Sequence, residues 1–136
     1  MFEVIHEFAV LGTTCFMMAL ATVWYSPMMF GSIWMKEARL TDDMIEKAKP
    51  DMWKHMVLTF ISYTILLVLI AQMVVYAPLL SLEAIEAAGL LVLFVAAGAV
   101  PLVLFEGRSI RYFGIQIGFY AVFILLGTLM LQYWPW

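Results

Sequence analysis

Charge is what this sequence has least of. Only 12% of its 136 residues are Asp, Glu, Lys or Arg, while 65% are hydrophobic. An ordinary soluble domain is roughly a quarter charged and half apolar. A soluble fold of this composition would expose large apolar patches and aggregate, so lipid is the expected solvent. The single cysteine, Cys15, excludes an internal disulfide and leaves no basis for a Cys metal cluster. No Gly-rich phosphate loop and no Ser-His-Asp set is present. The first cation is Lys36, and Glu3 and Glu7 stand where a signal peptide carries its positive region, so no such peptide is expected. The length suits one domain with no appended soluble module.

What remains is mostly apolar sequence in four runs, at about residues 4–24, 56–76, 84–105 and 110–131. About 20 apolar residues cover the roughly 30 Å hydrocarbon core, so each run is expected to span. The predicted class is all-α, a polytopic membrane protein of four transmembrane helices in a single domain. Thr13, Thr14 and Cys15 are small polar residues expected to face another helix. Gln72 lies near the end of the second run, within reach of the interface. Ala96 to Ala99 make a smooth surface for close helix contact, and Pro101 removes a backbone donor, so a bend is expected there. Trp24 and Tyr25, Trp53 and Tyr76, and Tyr133 to Trp136 sit at run ends, as interfacial aromatics do.

Between the first two runs lies the one long polar stretch, loop 25–55. It carries five of the seven basic residues: Lys36, Arg39, Lys47, Lys49 and Lys54. Ser26-Pro27 reads as an N-cap followed by proline at the first helical position. Phe30, Ile33, Trp34 and Met35 then recur near helical spacing, suiting an amphipathic helix on the headgroups. Thr41-Asp42-Asp43 is a second helix start, with acids at the positive dipole end. The remaining cations, Arg108 and Arg111, flank the short break between the last two runs, which must be an antiparallel hairpin. All seven cations therefore fall on one side of a four-span chain. The positive-inside rule puts loops 25–55 and 106–110 in the cytoplasm and both termini outside, in a bacterial inner membrane. His6 and His55 fall on opposite sides, so no paired-histidine haem or metal site can form within one chain. Five acids balance the five bases of the long loop, and no nucleic-acid patch results.

The same topology brings Trp24, Tyr25, Ser26, Glu106, Arg108 and Arg111 to one level. Glu106 ends a helix, where the dipole is negative, and needs a cation or donors. Arg108 or Arg111 is the expected cation, and Tyr25 or Trp34 could donate. Two readings stay open: a polar clasp locking the first run to the second hairpin, or a catalytic or ligand site. The arginines could also snorkel to lipid phosphates. Gly114 and Gly118 form a GxxxG pair, for packing within the bundle or between subunits. Gln116 lies on the opposite side of that helix and needs a partner, because an unpaired amide in hydrocarbon is costly.

The string from Trp24 to Gly31, WYSPMMFG, followed by Trp34, resembles the opening motif of the bacterial family called domain of unknown function 1761. Phe105-Glu106-Gly107-Arg108, with Arg111 and then Gln116, is similar to its later motif. In the family pattern proline stands where this chain has Ser109, and often a carboxylate where it has Gln116. The resemblance covers nearly the whole chain and implies a small four-helix integral membrane protein, with no activity attached.

A charge at a helix centre costs about 2.5 to 3.5 kcal/mol, and here no span centre carries one. The favoured expectation is a structural or accessory protein that binds lipids or a membrane protein partner, without a cofactor. Four helices enclose little interior, so a homo-oligomer is expected. The alternative is a small oligomeric transporter or channel. A membrane enzyme acting on a lipid or quinone, with Glu106 and Tyr25 as acid and base, ranks third.

Overall fold

The computed structural model describes residues 6–135. Its helices are α1 (Glu7–Trp24), α2 (Gly31–Glu37), α3 (Asp42–Ala48), α4 (Met52–Tyr76), α5 (Ala84–Glu106) and α6 (Ile110–Gln132). Single 3₁₀ turns, Lys49–Asp51 and Ala77–Leu80, precede and follow α4. The described residues form no strand. The fold is all-α, and four helical stretches are long and apolar enough to cross a membrane. Val4 and Ile5 of the first expected run lie outside the described residues. The second run begins earlier than its hydropathy suggests, because the 3₁₀ turn at Pro50 feeds α3 almost directly into α4.

Local chemistry sets most boundaries. The Thr41 hydroxyl accepts from Met44 N–H at 3.2 Å and starts α3 as its spacing predicts. Glu83 and Glu86 close a reciprocal capping box at the head of α5. Gly107 takes a left-handed φ of 66° and ends α5, and Ser109 Oγ accepts from Tyr112 N–H at 3.1 Å to open α6. A residue that cannot continue one helix is thus followed at once by one that starts the next. Helix α5 runs through Pro101 as one element.

The Ser26-Pro27 expectation does not hold. Ser26 caps nothing: its Oγ donates back to the Val23 carbonyl at 2.6 Å. The next helix begins only at Gly31. The intervening turn is closed through the backbone instead. Phe30 N–H reaches the Trp24 carbonyl at 3.1 Å, and Gly31 N–H the Ser26 carbonyl at 2.9 Å. A Cβ on Gly31 would collide with the Tyr25 carbonyl oxygen and stand 2.6 Å from the Ser26 carbonyl carbon. The turn is too tight for any other residue there.

Helix α6 is the hub, packing on α1, α2, α4 and α5. Its buried residues Ile115, Phe119, Phe123, Ile124, Gly127, Thr128 and Leu131 fall on one helical face. Lipid is as apolar as these side chains, so close packing and hydrogen bonds rather than hydrophobic transfer hold the helices together. At Gly127 an added Cβ would meet Leu67 Cδ2 at 3.0 Å and Met17 Cε at 3.5 Å, which marks the α1–α4–α6 junction. Thr13 and Thr14 are buried, and the Thr14 and Thr64 hydroxyls lie 3.3 Å apart. Cys15 departs from expectation. It is exposed, because the buried stripe of α1 passes through 13, 14 and 17 and turns residue 15 outward. Gln72 is half-buried, and its Nε2 has no hydrogen-bond partner. Helix α5 is the outlier of the four. It packs chiefly on α6, and only Ala84 and Ala88 are buried along it.

Candidate functional site

The tight turn after α1 determines where the first two motif aromatics go. Trp24 ends α1 and Tyr25 follows in the turn, and both are directed at α6. Trp24 Nε1 donates to the Ile115 carbonyl at 3.3 Å. Its ring packs 4.7 Å from Phe30 and 6.1 Å from Phe119. Gly118 makes room: a Cβ there would already stand 3.3 Å from the Trp24 ring. Of the GxxxG pair, Gly118 therefore serves packing within the chain. Gly114 faces open space, with nothing within 4 Å of an added Cβ.

Tyr25 O–H donates to Gln116 Oε1, and Gln116 Nε2 donates to Tyr112 O–H at 3.3 Å. The amide is thus held at both ends by phenols from two elements, which is what a half-buried polar group requires. Burial pushes the Tyr25 phenol above its ordinary range, and the neighbouring phenols of Tyr63, Tyr120 and Tyr112 push the same way. Tyr25 is therefore a neutral donor.

Arg108 makes the second tie. Its guanidinium donates to the Ala38 carbonyl at 3.0 Å and lies over the Tyr112 ring at 5.1 Å. Ala38 closes α2, where the left-handed Arg39 (φ 58°) and the bond from Leu40 N–H to the Met35 carbonyl end the helix. An arginine at that end satisfies a spare carbonyl and meets the negative dipole pole. Glu106 approaches Arg108 Nε at 3.5 Å. That is an ion pair but not a hydrogen bond, since Nε itself has no hydrogen-bond partner. The Glu106 side chain is 55% exposed against 28% for Arg108, so water screens this pair.

The expected donors to Glu106 go elsewhere. Tyr25 is taken by Gln116, and Trp34 packs edge-on to Tyr25 at 5.1 Å with its Nε1 buried and unpartnered. Glu106 lines a groove of about 410 Å³ between α5 and α6 together with Gln116 and Tyr112, the partners in the Tyr25 tie. Arg111 is exposed and enters neither tie. It lines a second groove, beside Trp24. Among the described residues no three His, Cys, Asp or Glu side chains converge as a metal site needs.

Two participants were not anticipated. The Ala38 carbonyl has no signature in a sequence. Tyr112 does have one on the α6 side, because it stands four residues before Gln116 and so shares its helical face. The arrangement can fix α1, α2 and α6 in register at the cation-rich end. Its hydrogen-bonding groups are largely spent on one another, while Glu106 keeps only a screened ion pair with Arg108 and Arg111 forms no ion pair among the described residues.

No curated protein and no solved structure matches the chain. The family model described as "Protein of unknown function (DUF1761)" matches residues 8–132, from the second residue of α1 to the last of α6. The chain belongs to that family, and is a multi-pass membrane protein with four apolar helices.

Proposed function

We propose that this protein is a non-enzymatic accessory component of the bacterial cytoplasmic membrane. Both termini lie outside, and the face carrying the Lys and Arg residues is cytoplasmic. In this reading the ties from Tyr25 and Arg108 hold a rigid cytoplasmic face that binds lipid or a membrane protein. The carrying observation is how the polar groups at that end are used. Tyr25, Gln116 and Tyr112 bond in one chain and Arg108 bonds to the Ala38 carbonyl, so these groups are paired with one another even where Gln116 and Tyr112 line the groove beside Glu106. The confinement of all seven cations to loops 25–55 and 106–110 with their flanks supports the orientation. The exposed length of α5, with Ala97 and Gly98 on its surface, supports assembly as a homo-oligomer through that helix.

A second reading rests on Glu106, the one carboxylate lining the groove between α5 and α6. A small oligomeric transporter would use it as the ionisable residue facing its path. Purified protein in liposomes separates the two. The accessory reading expects no solute or proton flux under an imposed gradient. Flux that disappears in Glu106→Gln would replace it with the transporter.

A further inference from the structure

The two arginines of the second motif have different surroundings. Arg108 is occupied with the Ala38 carbonyl and Glu106, whereas Arg111, one helical turn on, is exposed and forms no ion pair among the described residues. Arg111 stands at a groove of about 440 Å³ whose walls are Trp24, Phe30 and Ile33 and whose floor is Gly114 and Gly118. The floor is low because neither glycine carries a side chain: at Gly114 an added Cβ would touch nothing, and at Gly118 it would stand 3.3 Å from the Trp24 ring of the wall. Trp24 cannot offer its N–H to an occupant, since that donor is spent on the Ile115 carbonyl.

We infer that this groove binds one anionic phospholipid from the cytoplasmic leaflet, its phosphate on Arg111 and an acyl chain along the Gly114–Gly118 floor. The inference rests on the lipid-binding, cytoplasmic-facing reading above and names its site and lipid class. Three features select this occupant. The lining is otherwise apolar, which suits hydrocarbon rather than a soluble anion. Arg111 is its one charged member, so a headgroup phosphate has a partner there. No carboxylate lines the groove to receive the ammonium of a zwitterionic headgroup, so a net negative lipid is preferred. Basic pockets between helices on the cytoplasmic side commonly take such headgroups.

The test is native mass spectrometry of protein released from nanodiscs of equimolar phosphatidylglycerol and phosphatidylcholine. Wild type should retain phosphatidylglycerol over phosphatidylcholine by about fivefold, the contribution of one well-placed cation. Arg111→Gln should lose that preference, and Arg111→Lys should keep most of it. Gly114→Leu fills the floor from a position where the added Cβ has nothing within 4 Å. It should retain neither lipid, with its thermal melting unchanged. Lys47→Gln, on the exposed α3, should match wild type. Equal retention of the two lipids by wild type would overturn the inference, as would an unaltered preference in Arg111→Gln. So would displacement of the lipid by excess glycerol phosphate, which would mean that the site reads a soluble phosphate alone. Flux in liposomes would sink the accessory reading without changing this preference. Loss of the preference leaves the flux result untouched.

Discussion

At the cation-rich end, α1 is joined to α6 by hydrogen bonds that cross between helices: Trp24 to the Ile115 carbonyl, and Tyr25 through Gln116 to Tyr112. At the other end the same two helices and α4 are joined by shape. Gly12 lies under Trp134, where a Cβ would stand 2.8 Å from the ring, and Gly127 receives Leu67 and Met17. The hydroxyls there mostly bond within their own helices, as Thr14 does to the Val10 carbonyl and Thr128 to the Ile124 carbonyl. The contrast follows from the solvent. Near the headgroups, polar side chains are affordable and fix register by direction. Where the apolar spans pack on one another, close approach of small residues gives dispersion contact without an exposed polar group. The polar end is therefore specific, and the apolar end is tight.

The sharpest way to break this contrast is Gly31→Ala. The new Cβ would collide with backbone atoms of Tyr25 and Ser26 that no rotamer change can move. A loss of about 3 kcal/mol is expected, at the upper end of overpacking costs. Reversible unfolding in mixed micelles measures it, and a loss below ~1 kcal/mol would mean that the turn is not the one described. Next comes Arg108→Met, which removes the bond to Ala38 while keeping an unbranched stem in place of the arginine's methylenes. About 1.5 kcal/mol should be lost, the lower part of the range for a charge-assisted bond, because Arg108 remains part-exposed. Hydrogen exchange at Ala38 to Leu40 should rise together with that loss. Gly127→Ala probes the tight end. Its Cβ meets the far ends of Leu67 and Met17, both able to shift, so about 1 kcal/mol is expected by the same unfolding assay. The smallest effect belongs to Lys47→Gln. Its ion pair with Asp43, at 2.8 Å, is exposed on both sides and should contribute less than about 0.5 kcal/mol.

The spans were legible because twenty-residue apolar runs have no other economical explanation, and the Thr41 cap because its side chain acts locally. Where the sequence misled, a non-local contact decided the outcome. Ser26-Pro27 has the composition of a helix start, yet the closing bonds run from Phe30 and Gly31 back to Trp24 and Ser26. Gly31 was the available clue, since a glycine just past a proline turn often marks a close backbone approach. Cys15 illustrates a phase problem. Small polar residues at 13, 14 and 15 cannot all face one neighbour on a helix, and burial of Met17 selects the first two. Topology brings Glu106 to the groove that Gln116 and Tyr112 also line. Its ion pair with Arg108 is one of the two expected. Its donors could not be read, because Tyr25 has a better acceptor in Gln116 and nothing in the sequence ranks acceptors so far away along the chain.

The claim on which the rest depends is that Tyr25 and Gln116 bond across from the α1 turn to α6. A double-mutant cycle of Tyr25→Phe and Gln116→Leu, followed by reversible unfolding in mixed micelles, tests it most directly. A favourable coupling of about 0.6 to 1.7 kcal/mol is expected, the range for interhelical hydrogen bonds in membranes. A coupling indistinguishable from zero, with each single variant as stable as wild type, would contradict it.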